Sequence, residues 1–321
     1  MSDAQQALDP GAGRTGVDLG FRERISGWRQ RAGRSEVILF LLFIAPNMML
    51  FSVFTFWPMI YNMYLSTVRW DMISPTRQSV GTANFEYLLT QGSFHNVLLN
   101  TFYFTAGAVG GTLILGLLFA LLLNQPLRGR DGVRAVVFAP TLLSGAAIAI
   151  VWIYMFDPRF GIIAQMLALS GITSPRWLND PSWAMVAIII VYVWKNLGIT
   201  LVIYLAGLQA IPKELYEAAK IDGAGPLRTF WSVTLPMLSP ITFFLFVTSL
   251  LSSFQAFDII HVMTSGGPVE STMTLIYYVY EQGFVVFNAG RAAAAALVLF
   301  VIMFVITILQ LHYSERKVHY G

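Results

Sequence analysis

Six runs of residues carry almost no charged side chains and are each long enough to cross a bilayer: 37–68, 87–127, 135–156, 181–212, 229–257 and 292–314. The hydrocarbon core of a membrane is about 30 Å thick and a helix rises about 1.5 Å per residue, so about 20 apolar residues suffice. Five of the runs contain no Asp, Glu, Lys or Arg, and Lys195 alone interrupts the other. Composition agrees, because 12% of the chain is charged where soluble domains hold about 25%, and mean hydropathy is +0.65. The expected fold class is an all-α integral membrane protein with six transmembrane helices.

Lysine and arginine set the orientation. With a cytoplasmic N-terminus, the inner side receives six in the tail, Arg128, Arg130 and Arg134 in one loop, Lys213, Lys220 and Arg228 in the next, and Arg316 and Lys317 at the end. The outer side receives four, Arg69, Arg77, Arg159 and Arg176. The positive-inside rule then puts both termini and the central loop in the cytoplasm of a cell that carries the chain in its plasma membrane. No cleavable signal is expected, since the first apolar run starts near Val37 and is too long for one. The domain reading is a basic tail over 1–36, a six-span transmembrane domain over 37–314 with its loop at 208–236, and a tail over 315–321. Within the first tail, 21–34 reads equally as a helix lying on headgroups through Phe21, Ile25 and Trp28 or as an unstructured flank.

The loop between the fourth and fifth runs reads as two short helices at an angle. Pro212 suits a first helical turn, Gly223 and Gly225 stop that helix, Pro226 opens another, and Pro236 marks entry to the next run. Ile211, Leu215 and Ala218 are expected to form one stripe, with acidic rims at Glu214, Glu217 and Asp222. Apolar groups exposed on such a knob fit a groove on another protein; an ordinary charged connection is the bland alternative.

Other residues point to a path through the membrane. Lys195, halfway along a span beside Asn196, costs roughly 2.5–3.5 kcal/mol to insert, so it faces a polar cavity or a structural partner. Ser249, Ser252, Ser253, Gln255 and Asp258 are interleaved with Phe244, Phe246, Phe254 and Phe257, which suits stacking on carbon faces and hydrogen bonds to hydroxyl or phosphate groups. Polar contacts between helices are the alternative for the serines, and an interfacial position for Asp258. Trp152 opens an aromatic belt ending at Phe156, and the glycines at 107, 110, 111 and 116 read as tight helix packing.

Glu217-Ala218-Ala219, Gly223, Val233 and Leu235-Pro236 fill, in order and spacing, the EAA pattern of ATP-binding-cassette importer permeases, with Val233 standing where isoleucine is usual. The rest of the chain resembles the carbohydrate-type members related to the larger maltose permease subunit. Ile44-Ala45-Pro46, Trp194-Lys195, Ala206-Gly207-Leu208-Gln209, Phe257-Asp258 and Thr264-Ser265-Gly266-Gly267-Pro268 carry that likeness. Thr274-Leu275-Ile276-Tyr277 and the ending Glu315-Arg316-Lys317-Val318-His319-Tyr320 are most similar to A-type permeases of glycerol-3-phosphate and glycerophosphodiester importers.

The resemblance implies a type I ABC importer fold and a transport subunit for glycerol-3-phosphate or glycerophosphocholine-like compounds, or alternatively for a sugar such as trehalose or maltose. It places coupling to an ATPase on Glu217 and Gly223, with Tyr216, Ala218, Ala219, Asp222 and Pro236 around them. The substrate path is then expected at Lys195, Asn196, Trp152, Phe254, Gln255 and Asp258. A second permease subunit, two ATP-binding subunits and an extracytoplasmic binding protein are implied, with ATP and Mg held by those ATPase partners and no cofactor in this chain. The sequence agrees in lacking a phosphate-binding loop, cysteine, metal-ligand spacing or a catalytic triad, so neither enzyme chemistry nor nucleic-acid binding is supported. A secondary transporter would call for inverted repeats and broken helices, which the sequence does not announce, and a channel for a filter ring.

Overall fold

The computed structural model describes residues 34–317, so the expected helix through Phe21, Ile25 and Trp28 and the last residues, Val318 to Gly321, lie outside it. The chain divides after Tyr61 into two units. The division falls within an apolar helix: α1 (Arg34–Phe51) passes through a π turn (Ser52–Phe56) into α2 (Trp57–Ser66), continuous from Ile38 to Ser66. Pro46 and Pro58 stand within this helix, yet it continues through both. The Trp57 N–H bonds back to the Ser52 carbonyl, a wider turn that accommodates the proline ring two residues before Pro58. No residue of its most apolar window is buried.

The second unit opens with a two-residue ribbon, β1 (Val68–Arg69) and β2 (Gln78–Ser79), paired antiparallel with Val68 opposite Ser79. Helix α3 (Ala83–Thr90) follows, and Asn84 Nδ2 ties it back by donating to the carbonyls of Ser66 and Val68. Helix α4 (Gly92–Leu123) then packs along α8 (Pro181–Ala210), the most extensive helix pair of the unit. Small residues permit it: a Cβ at Gly107, Gly111 or Gly116 would stand 2.5–2.8 Å from Ile189, Val193 or Thr200. Gly110 faces open space instead.

The third apolar run is not one straight span. Helix α5 (Arg130–Phe138) and a 3-10 turn (Ala139–Leu142) meet α6 (Gly145–Met155) at a 110° bend. Leu143 and Ser144 are extended, and Ser144 Oγ accepts from the Ala147 N–H to start α6 afresh. The side chain of Asp258 presses on Gly145, where no Cβ would fit. After α7 (Ile162–Leu169) and α8 come α9 (Lys213–Ile221) and α10 (Pro226–Thr229), which continues through a π turn (Phe230–Thr234) into α11 (Leu235–Met237). A 64° bend leads to α12 (Ser239–Phe254), followed by α13 (Asp258–Met263), α14 (Leu275–Tyr280) and α15 (Ala289–Lys317). Among the described residues four helices are thus long and apolar enough to cross a membrane, and six spans result when each bent pair counts as one.

Two cores hold the unit. The larger gathers Phe104, Ile188, Ile259 and Leu275 from α4, α8, α13 and α14. The smaller gathers Leu123, Leu201, Tyr204 and Leu238 where α8 and α12 converge toward α9.

Candidate functional site

Pro212 caps rather than enters α9: its ψ of 134° is non-helical, and the helix starts at Lys213. Glu214 in the first turn and Lys220 in the last match the helix dipole. The helix ends in a glycine stop. Gly223 adopts φ +73°, its N–H donates to the Lys220 carbonyl at 3.0 Å, and the Ala224 N–H donates to the Ala219 carbonyl at 2.9 Å. That pair of bonds is the Schellman arrangement, whose left-handed position favours glycine.

The buried face of α9 differs from the expected stripe. Ala219 is buried, Tyr216 is half-buried and its hydroxyl lies 3.3 Å from the hydroxyl of buried Thr234, whereas Leu215 and Ala218 face outward. Contact with the second leg, rather than apolar spacing within α9, selects the inward residues. Glu217, Asp222, Gly223 and Pro236 are exposed. With them stand Leu215, Leu227, Ile221 at 86% and Trp231 at 62% exposure. No carboxylate of the loop has an ion-pair partner among the described residues. The loop is therefore a knob with exposed apolar groups and an exposed carboxylate rim balanced by Lys213, Lys220 and Arg228, chemically suited to docking.

From that base the second leg leads through Leu238 into α12, and α12 forms one wall of a cavity of about 270 Å³ shared with α4 and α8. Asn196, Thr200, Thr112, Thr248, Ser249 and Ser252 supply its polar lining. The threonine hydroxyls donate to carbonyls of their own helices and Asn196 Nδ2 donates to the Tyr192 carbonyl at 2.8 Å. What these groups turn to the cavity is thus acceptor oxygen, suited to the hydroxyl groups of a ligand.

The expected path residues do not all converge here. Asn196 lines the cavity together with the two serines, while Ser253 is buried and donates to Thr105 Oγ1 at 3.3 Å between α12 and α4. Lys195 is half-buried and does not line the cavity, and no carboxylate lies within 4.0 Å of its ammonium among the described residues. Phe254 lines a separate apolar cavity of about 560 Å³ between α4, α12 and α15. Gln255 is exposed past the end of α12. Asp258 packs at the start of α6. Trp152 is buried among Phe156 and Trp194, at ring distances of 5.2 and 5.4 Å. Sequence reasoning missed Thr112, Tyr192, Thr200 and Thr248, although Tyr192, Asn196 and Thr200 at steps of four mark one helix face.

Comparison with known proteins extends this geometry. Residues 112–319 match the family described as binding-protein-dependent transport system inner membrane component. The chain is 38% identical over 287 residues to the sn-glycerol-3-phosphate transport system permease protein UgpA of Agrobacterium fabrum, covering 88% of this chain and 97% of the relative. It is 37% identical over 293 residues to the protein of that name from Rhizobium meliloti, covering 91% and 100%. Among solved structures, a bacterial ABC transporter involved in import of the acidic polysaccharide alginate superposes with a TM-score of 0.76 at 24% identity, covering 92% of this chain and all of the other.

Proposed function

We propose, because the chain belongs to the family of binding-protein-dependent transport system inner membrane components, that it forms half of the path of an ATP-driven importer for glycerol-3-phosphate or glycerophosphodiesters. It is a multi-pass membrane permease of the ABC transporter class, a transport subunit rather than an enzyme. One observation carries the substrate reading: identity of 37–38% runs along nearly the whole length of permeases named for sn-glycerol-3-phosphate.

In this reading a second, related permease completes the path, two ATPase subunits bind ATP and Mg, and an extracytoplasmic binding protein delivers substrate. Both termini and α9 lie in the cytoplasm. The exposed Leu215, Ile221, Leu227 and Trp231 dock into an ATPase groove, each large apolar group contributing roughly 1.5–3 kcal/mol on burial. Glu217, Ala218 and Asp222 form the outer contact, and Gly223 fixes the angle of the knob. Movement of α9 passes through Tyr216, Ala219 and Thr234 to the second leg, where Pro236 and the bend at Leu238 lead into α12. Since Ser249 and Ser252 of α12 line the cavity, tilting that helix changes how the cavity opens.

A sugar is the second reading, favoured by the cavity's hydroxyl and amide lining without a cation. The test is ATPase activity of the reconstituted complex with its binding protein, given glycerol-3-phosphate, glycerophosphocholine, maltose or trehalose. Stimulation by the glycerophosphates alone is expected. Stimulation by a disaccharide alone would replace the first reading with the second.

A further inference from the structure

A third cavity, of about 440 Å³, opens at the end of the second unit where α6 finishes and α8 begins. Helix α8 separates it from α9 by about 45 Å, given 30 residues at 1.5 Å each. Its size is within the range of small-molecule pockets. Its floor is aromatic: Phe156 meets Trp177 at 5.0 Å, and Trp177 meets Trp183 at 5.1 Å and donates to Ser174 Oγ at 3.1 Å. These contacts fix the turn on which Arg176 stands, and the Arg176 carbonyl accepts the N–H groups of Asn179 and Asp180, each at 3.0 Å. The facing wall is the Thr264–Pro268 turn, where Ser265 donates its hydroxyl to the His261 carbonyl at 2.9 Å.

Two charged residues line this cavity, Arg176 and Asp157. Asp157 Oδ1 is committed to the N–H groups of Arg159 at 2.8 Å and Phe160 at 3.2 Å, so one oxygen already caps a turn. The Arg176 guanidinium has no carboxylate within 4.0 Å among the described residues. Arg176 is exposed and lines the cavity, and a planar guanidinium at that position offers the paired donors that match a phosphate group. The carboxylate and amide beside it match hydroxyl groups.

We propose that this cavity receives the transported compound on the binding-protein side, with Arg176 holding the phosphate of a glycerophosphate and Asp157 and Asn179 holding its hydroxyl groups. The inference rests on the glycerophosphate reading and adds a place for the charge that the cavity between α4, α8 and α12 does not neutralise. A phosphate could also come from a lipid headgroup, so the test separates the two sources.

The complete complex is reconstituted with its binding protein into vesicles of neutral glycolipid, and separately into vesicles containing phosphatidylglycerol. Uptake of glycerol-3-phosphate is measured for wild type, Arg176→Gln and Arg176→Lys, and subunit co-purification is checked for each. At least a fivefold loss in Arg176→Gln is expected in both membranes, with half or more restored in Arg176→Lys and all subunits retained. Wild-type uptake in Arg176→Gln overturns the proposal. So does a defect confined to phosphatidylglycerol vesicles, which assigns Arg176 to headgroups, or a loss shared by both variants together with failed assembly, which makes the residue structural. A wild-type complex that moves only a disaccharide overturns this proposal and the substrate reading together, whereas normal glycerol-3-phosphate uptake by Arg176→Gln overturns the cavity alone.

Discussion

Gly223 is the residue whose backbone does most to shape the knob. At φ +73° it terminates α9, and its N–H closes one of the two bonds of the stop. Proline cannot reach that angle and has no N–H to give, whereas alanine keeps the bond at a cost of roughly 1–2 kcal/mol for the left-handed conformation. Gly223→Pro is therefore expected to lower ATP-driven uptake at least tenfold while the complex still assembles, with Gly223→Ala in between. Wild-type uptake and assembly in the proline variant would show that the angle is immaterial. The glycine stop was legible in the sequence, because Gly223 and Gly225 end a run without breakers. The inward face was not. Ile211, Leu215 and Ala218 have the right spacing, but Thr234, 18 residues from Tyr216, decides which side of α9 is covered.

At the scale of elements, sequence length and apolarity located four unbroken spans and missed two bends. The prolines act in two ways: Pro58 and Pro236 each follow a π turn by two residues, but the helix continues through Pro58 and breaks just after Pro236, at the 64° bend into α12. The third run misleads, because 135–156 is uniformly apolar, yet Ser144 caps a new helix and Gly145 leaves room for Asp258. A contact 113 positions away along the chain cannot be read from local pattern. The site divides in the same way: the knob follows from a motif with fixed spacing, while the cavity needs three helices to be brought together. Gly145→Ala tests the bend. Its methyl would force α13 off α6, an overpacking cost of about 1–3 kcal/mol, so the purified complex should melt several degrees lower. Adding Asp258→Ala to the same chain should recover part of the loss. An unchanged melting temperature in Gly145→Ala would mean that the two helices have slack at this contact.

For the whole molecule, the asymmetry of its loops assigns the two ends different tasks. Helix α9, with two lysines and two glutamates, stands at one end of α8 and the Arg176 cavity at the other, so a helix of 30 residues runs between the proposed docking surface and the proposed entry site. That arrangement works for import only if α9 faces the cytoplasm, the orientation expected from the distribution of lysine and arginine, with fourteen on that side against four on the other. The chain contains no cysteine, so a single introduced thiol reports its own side without background. Thr173 and Lys213 are both exposed and sit at opposite ends of α8. A maleimide that does not cross membranes should label Thr173→Cys in intact cells and Lys213→Cys only after the membrane is opened. The reverse pattern would place the knob outside, out of reach of any ATP-hydrolysing partner, and would force the energy source of transport to be sought in the chain itself. Equal labelling of both from outside would mean that α8 does not span, and the reading of the fold as a membrane permease would lose its central helix.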